Sequence, residues 1–130
     1  MGSARTKIYF DGGCRPNPGP METAVVRSGV RHIRTGLAIG GSSEAEWLAL
    51  THAAELAIAQ ELDDVVFVGD SLLVINQAKG AWKCRSAELR EYQTRFAILS
   101  AHFKRVGLRH VLRSHNLAGI ALQRWHDGVD

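Results

Sequence analysis

A chain of 130 residues, 45% hydrophobic and 22% charged, is long enough to bury one real core and is read as a single domain over residues 1–130. No apolar run reaches the length of a membrane span, the N-terminus lacks signal-peptide character, and Cys14 and Cys84 form neither a CxxC pair nor a disulfide framework. The expectation is a cytoplasmic protein away from the membrane, and its net charge of +3 permits a polyanionic partner without requiring one.

Lys7-Ile8-Tyr9-Phe10 alternates as a strand with one covered face. Three glycines and three prolines follow within Gly12–Pro20, so the chain is expected to turn away there, leaving Asp11 where the strand ends. Asp-Gly is also a common turn pair. Thr23–Val26 and Val30–Ile39 read as two further strands joined by the Ser28-Gly29 turn, which makes an antiparallel meander.

Ser42-Ser43 supplies a helix start, and Glu46 follows Ser43 at capping-box spacing. The helix is expected over Glu44–Gln60, with Glu46, Ala49, Leu50, Ala53, Ala54 and Ala57 on one side. Glu46 reads as a capping carboxylate or as part of a site beneath that small-residue face. Val65–Val68 is a strand buried on both faces, and Gly69-Asp70-Ser71 ends it before a helix over Leu72–Lys79. Asp70 reads as an N-cap or as a second carboxylate at a strand end. The helix between the first strand and Val65–Val68 makes parallel pairing plausible, which brings Asp11 beside Asp70.

Gly80–Arg85 is a basic connection around Trp82. Ser86–Ala101 is a helix capped by Ser86, with Leu89, Tyr92, Phe96 and Leu99 on its buried stripe. Gly107–Arg113 is a last strand, and Ser114-His115-Asn116 opens a helix to about Trp125. The order predicts an α/β fold with a mixed five-stranded sheet, three antiparallel strands then two parallel, flanked by helices.

Asp11, Glu46 and Asp70 thus converge from two strand ends and a helix first turn. Three carboxylates without matching cations repel one another, and divalent ions with all-oxygen coordination relieve that repulsion. Two such ions about 3.5–4 Å apart suit displacement at a phosphodiester.

Asp11-Gly12-Gly13-Cys14 with Asn17-Pro18-Gly19-Pro20, Ala45-Glu46-Trp47-Leu48-Ala49-Leu50, and Gly69-Asp70-Ser71 with Val74-Ile75-Asn76-Gln77 together resemble type 1 ribonuclease H, from Lys7 to about Arg124. The resemblance implies the ribonuclease H-like fold, RNA–DNA hybrid as substrate, and endonucleolytic cleavage of the RNA strand. It also implies two Mg²⁺ ions, with Mn²⁺ as substitute, leaving a 5′-phosphate and a 3′-hydroxyl. Asp11, Glu46 and Asp70 match the family's first three catalytic carboxylates, Asp11 bridging both ions. His115 matches its mobile loop histidine, and is otherwise a solvated side chain. Gly12, Cys14 and Asn17 fall where the family lines the hybrid. No protein partner is implied, and a monomer is the expectation.

Three departures stand out. No acid occurs in Ser114–Leu122, where the family places a fourth aspartate; either Gly119 or Asn116 takes that position. Asn116 has an amide oxygen that ligates metal, and it equally reads as the N-cap of the last helix. Ser42-Ser43 replaces an asparagine pair, and Leu72 replaces a glutamine. The family's basic extra helix is missing, leaving Trp82, Lys83 and Arg85 to meet the DNA strand, unless Trp82 is a core residue. The missing acid opens an alternative, a weak or inactive nucleic-acid-binding module of the same fold.

Overall fold

The computed structural model describes residues 5–128. Strand β1 spans Thr6–Cys14, and its alternation buries Ile8 and Phe10 completely. It is longer than the sequence suggests, because its two neighbours stop at different points. Pairing with β5 (Asp64–Gly69) is parallel and ends at Tyr9↔Val68. Pairing with β2 (Gly19–Arg27) is antiparallel and continues through Asp11↔Ala24 and Gly12↔Thr23 to Cys14↔Met21. Asp11 therefore lies in mid-strand, just past the last parallel pair. The glycines do not end the strand, since β2 satisfies their backbone groups and tertiary pairing overrides local propensity.

The single strand expected over Val30–Ile39 is two, β3 (Val30–Arg34) and β4 (Ile39–Gly40). Gly36, at φ +64°, turns the chain between them, and Met21 exchanges backbone hydrogen bonds of 3.1 Å with Leu37 and Ala38. The sheet runs β3-β2-β1-β5-β6, with β6 (Arg105–His110) parallel to β5, and β4 adds a short pairing to β2. Three antiparallel strands then two parallel is the mixed sheet expected. The last strand ends at His110, so Arg113 opens a 3₁₀ turn, Arg113–His115, rather than closing a strand.

Helix α1 (Ser42–Ala59) buries the expected face, Glu46, Ala49, Leu50, Ala53, Ala54 and Ala57. Its N-cap is Gly41, which makes no side-chain cap bond, so the capping box expected between Ser43 and Glu46 does not form. Helix α2 (Leu72–Ala78) is capped by Ser71, whose hydroxyl accepts the Val74 N–H at 3.2 Å, leaving Asp70 free of that duty. Helix α3 (Ala87–Ser100) is capped by Ser86, as expected.

Alternate residues of β2 serve two cores. Val25 joins Ile8, Phe10, Trp47, Phe67 and Phe96 under the first three helices, while Ala24 and Val26 join Ala118, Ala121 and Leu122 of α4 (Leu117–His126) on the opposite face. Phe67 meets Phe96 and Phe103 edge-on, with ring centres 5.8 and 6.0 Å apart. The far end of α4 is tied to β2 by His126 Nε2 and Glu22 Oε1, 2.7 Å apart. Among the described residues no helix is long and apolar enough to cross a membrane.

Candidate active site

β1, α1 and the end of β5 bring one carboxylate each to a common point. Oxygen atoms of Asp11, Glu46 and Asp70 all lie within 4.8 Å of one another, the one such metal-competent group among the described residues. The approach depends on Gly12, whose missing side chain lets β1 pass against the Ala45 carbonyl at the start of α1. At that spacing the Gly12 N–H donates to Glu46 Oε1 at 2.6 Å. Glu46 thus caps the sheet's backbone and not its own helix.

The cluster is electrostatically costly as it stands. Burial, then the charge of Asp70, pushes the Asp11 carboxyl up to about 6, although Arg113 pulls the other way. Burial, then Asp11, raises Glu46 well above the usual carboxylate range, against the Gly12 N–H that favours its charged form. Asp11 Oδ1 is buried with no hydrogen-bond donor. A buried, orphaned anionic oxygen in an all-oxygen donor set fits a hard divalent cation.

Asn116 and Gly119 take different parts. Asn116 is fully buried: Nδ2 donates to the Phe10 carbonyl and to Asp70 Oδ2, each at 3.0 Å, while Oδ1 accepts the Ala118 N–H at 3.1 Å. Rotating the amide would set two acceptors against each other at Phe10 and two donors at Ala118, so the orientation is fixed. In this arrangement Asn116 caps α4 and offers Asp70 a donor; its one ligating oxygen is engaged by the helix. Gly119 faces the cluster instead. A Cβ there would stand 3.6 Å from the Asp11 carboxylate and 3.6 Å from Asp70 Oδ2, in ordinary contact. Of the two candidate positions, Gly119 is the one whose Cβ would face the carboxylates.

A cleft of about 250 Å³ opens on the carboxylates, lined also by Gly12, Ser42, Ser43, Ser71 and Arg113. Asn17 Nδ2 donates to Ser42 Oγ and Cys14 Sγ to Asn17 Oδ1, both at 3.4 Å, so the first loop is latched to the start of α1 at the cleft rim. Leu72 is exposed at the start of α2. His115 is exposed in the 3₁₀ turn. Trp47, fully buried, is a core tryptophan, whereas Trp82 is 45% exposed beside exposed Lys83 and Arg85. Two residues carry weight that the sequence did not signal. Buried Gln77 accepts from Trp47 Nε1 at 3.0 Å and donates to the Lys83 carbonyl at 3.3 Å, tying the basic connection to α1. Arg113 reaches into the carboxylates, with Nη1 3.5 Å from Asp11 Oδ1 and 3.4 Å from Asp70 Oδ2. A larger groove, about 710 Å³ between α2, α3 and β6, lies elsewhere and is lined by one charged residue, Lys79.

The family described as reverse transcriptase-like matches residues 27–126. Among individual proteins, the chain is similar to Ribonuclease HI of Halobacterium salinarum, 37% identical over 123 residues that make up 91% of this chain and 62% of that protein. It is 30% identical to a bifunctional protein of Mycobacterium tuberculosis over 84% of this chain and 32% of that protein. The chain thus spans less than two thirds of the curated relatives it matches. The crystal structure of RNase H1 from Halobacterium salinarum superposes with a TM-score of 0.87 at 32% identity, covering 97% of this chain and all of that one. LC11-RNase H1, solved in complex with RNA/DNA hybrid, superposes with a TM-score of 0.78 at 27% identity, covering 87% and 89% of the two chains.

Proposed function

The chain belongs to the type 1 ribonuclease H family, and from that premise we propose that it is a metal-dependent endonuclease that hydrolyses the RNA strand of RNA–DNA hybrids. The observation that carries the reading is the convergence of Asp11, Glu46 and Asp70 within 4.8 Å around a buried oxygen without a donor. Asp11, Glu46 and Asp70 would hold the metal. Mg²⁺, or Mn²⁺ in its place, supplies Lewis-acid activation of water and charge neutralisation at the phosphate, for products with a 5′-phosphate and a 3′-hydroxyl.

The chain's own residues do the rest. Gly12 fixes the Glu46 carboxylate through its N–H, and Asn116 fixes Asp70 through its amide nitrogen. We assign Asn116 to that positioning role and to helix capping, in place of the metal ligation its sequence position suggested. Cys14, Asn17, Ser42 and Ser43 present small polar groups to a hybrid's minor groove, where 2′-hydroxyls distinguish RNA from DNA. Exposed Trp82, Lys83 and Arg85 meet the DNA strand by stacking and phosphate contact. His115, exposed beside Arg113, is assigned to proton transfer or product release. The protein acts as a cytoplasmic monomer.

Cleavage of a labelled hybrid in Mg²⁺ and in Mn²⁺, beside Asp70→Asn, tests the reading. Activity lost in Asp70→Asn supports it, and equal rates in the two proteins sink it. A second reading, a hybrid-binding module with little or no cleavage, has one observation in its favour. Gly119, whose Cβ would face the Asp11 and Asp70 carboxylates, brings no fourth acid to them. Retained hybrid binding without cleavage in either metal decides for it.

A further inference from the structure

Arg113 places a cation where the carboxylates most need one. A single guanidinium nitrogen, Nη1, lies 3.5 Å from Asp11 Oδ1 and 3.4 Å from Asp70 Oδ2, so it bridges two acids from two strands. Asp11 Oδ1 has no hydrogen-bond donor, which leaves this charge as its compensation. The two carboxylates are nearly buried, with side chains 3% and 11% exposed, but the Arg113 side chain is 67% exposed. The contact distances are long for charge-assisted bonds, and neither oxygen is held bidentately. Such a cation offsets part of the repulsion between the buried acids and is loose enough to leave. Its backbone, by contrast, is anchored: the Arg113 carbonyl accepts at 3.1 Å the N–H of Asn116, the residue whose side chain fixes Asp70. Arg113 and Gly119 line one cleft, and Gly119 contributes no side chain to it, so the arm has space beside the cluster into which to withdraw.

We propose that Arg113 is the site's tethered counter-ion: it occupies the bridge between Asp11 and Asp70 in the metal-free protein and is displaced when a divalent ion takes that bridge, so it sets the metal concentration at which the site fills. A guanidinium remains charged at every working pH, so the competition is between two cations for the same oxygens and not a titration. This rests on the carboxylates being the metal site, as proposed above.

The test is calorimetric titration of the intact protein with Mn²⁺ alone, without nucleic acid, for wild type, Arg113→Ala and Arg113→Lys, with thermal unfolding in chelator and in Mn²⁺. Removing one partly exposed bridging cation should tighten Mn²⁺ binding about fivefold, with the lysine variant in between. Arg113→Ala should melt lower than wild type in chelator and no lower in saturating Mn²⁺. Equal or weaker Mn²⁺ binding by Arg113→Ala overturns the proposal, as does an equal loss of Tm in both conditions, which marks a merely structural arginine. Absence of Mn²⁺ binding in all three proteins overturns the carboxylate metal site itself, and the counter-ion with it.

Discussion

Asn116 Nδ2 donates to Asp70 Oδ2 at 3.0 Å while Asn116 Oδ1 caps α4 at the Ala118 N–H. One buried amide therefore joins the helix start, the Phe10 carbonyl of β1 and an acid of the carboxylate cluster. Asn116→Ala removes the cap and leaves the Phe10 carbonyl unpaired, a loss of about 2–4 kcal/mol. Thermal unfolding should show it as a Tm lower by roughly 10 °C. Asn116→Asp keeps the cap acceptor but sets a second anion against Asp70. Its loss should be large in chelator and only partly recovered in Mn²⁺, since an oxygen then also opposes the Phe10 carbonyl, whereas the alanine variant's should be the same in both.

Gly119 gives the converse case. Its Cβ position, 3.6 Å from both the Asp11 and Asp70 carboxylates, accepts a side chain without backbone movement. Gly119 is also in the first turn of α4, where an acid meets the positive end of the helix. Gly119→Asp should bind Mn²⁺ at least about tenfold more tightly, since a further anionic oxygen joins a buried site, and should cleave hybrid at lower Mg²⁺ than wild type. Gly119→Ala, which fills the same space without charge, should do neither. Metal titrations of the two variants side by side decide this.

The contrast between Asn116 and Gly119 also marks how far the sequence could be read. Elements whose pattern is long range in period were legible: the α1 face from Glu46 to Ala57, the buried β5 run, the Ser86 cap and the parallel pairing of β1 with β5. The carboxylate trio followed from that topology. What depended on a helix's phase, or on a neighbour, did not. Whether Asn116 or Gly119 faces the carboxylates is a matter of where α4 begins, and a one-residue shift turns the helix by about 100°. The strand through Gly12-Gly13-Cys14 was hidden because those residues are poor strand formers, and only β2 holds them there. The capping box was misread because Glu46 has a better partner, the Gly12 N–H, far away in sequence. Arg113 was assigned to a strand end, and nothing in its neighbours announces that it turns back over two acids.

The raised carboxyls set a pH dependence. Asp11 ordinarily titrates near 3.8 and is pushed up to about 6, and Glu46 moves in the same direction. A carboxyl raised on folding favours the folded state below its ordinary value and loses that contribution as pH rises through the folded one. The metal-free protein should therefore lose stability between about pH 4 and pH 6 from this site, on the order of 2–3 kcal/mol for Asp11. Mn²⁺ should reverse the trend at neutral pH, because it binds the deprotonated carboxylates and releases protons. Unfolding in chelator and in Mn²⁺ across pH 4–8 checks both signs. Mn²⁺ affinity should fall as pH drops below 6, and a flat profile would remove the coupling argued here.

The sharpest test of the site's geometry is a methyl group on β1. At Gly12 a Cβ would overlap the Ala45 carbonyl and crowd the Glu46 backbone nitrogen, atoms of α1 that cannot move without the helix. At the neighbouring Gly13 it would meet nothing within 4 Å. Both glycines lie in the same strand, paired to Thr23 and Glu22, so their conformational entropies are comparable and the difference isolates the close approach. Gly12→Ala must push α1 away from β1 and lengthen the 2.6 Å contact that aims Glu46. It should lose on the order of 3 kcal/mol through overpacking. Hybrid cleavage, measured where the variant is still fully folded, should show a fall in kcat with KM little changed, because Glu46 is displaced and the outer hybrid contacts are not. Gly13→Ala should unfold within about 1 kcal/mol of wild type. If the two variants prove equally stable, then the passage of β1 against α1 at Gly12 is not what holds Glu46 in the site.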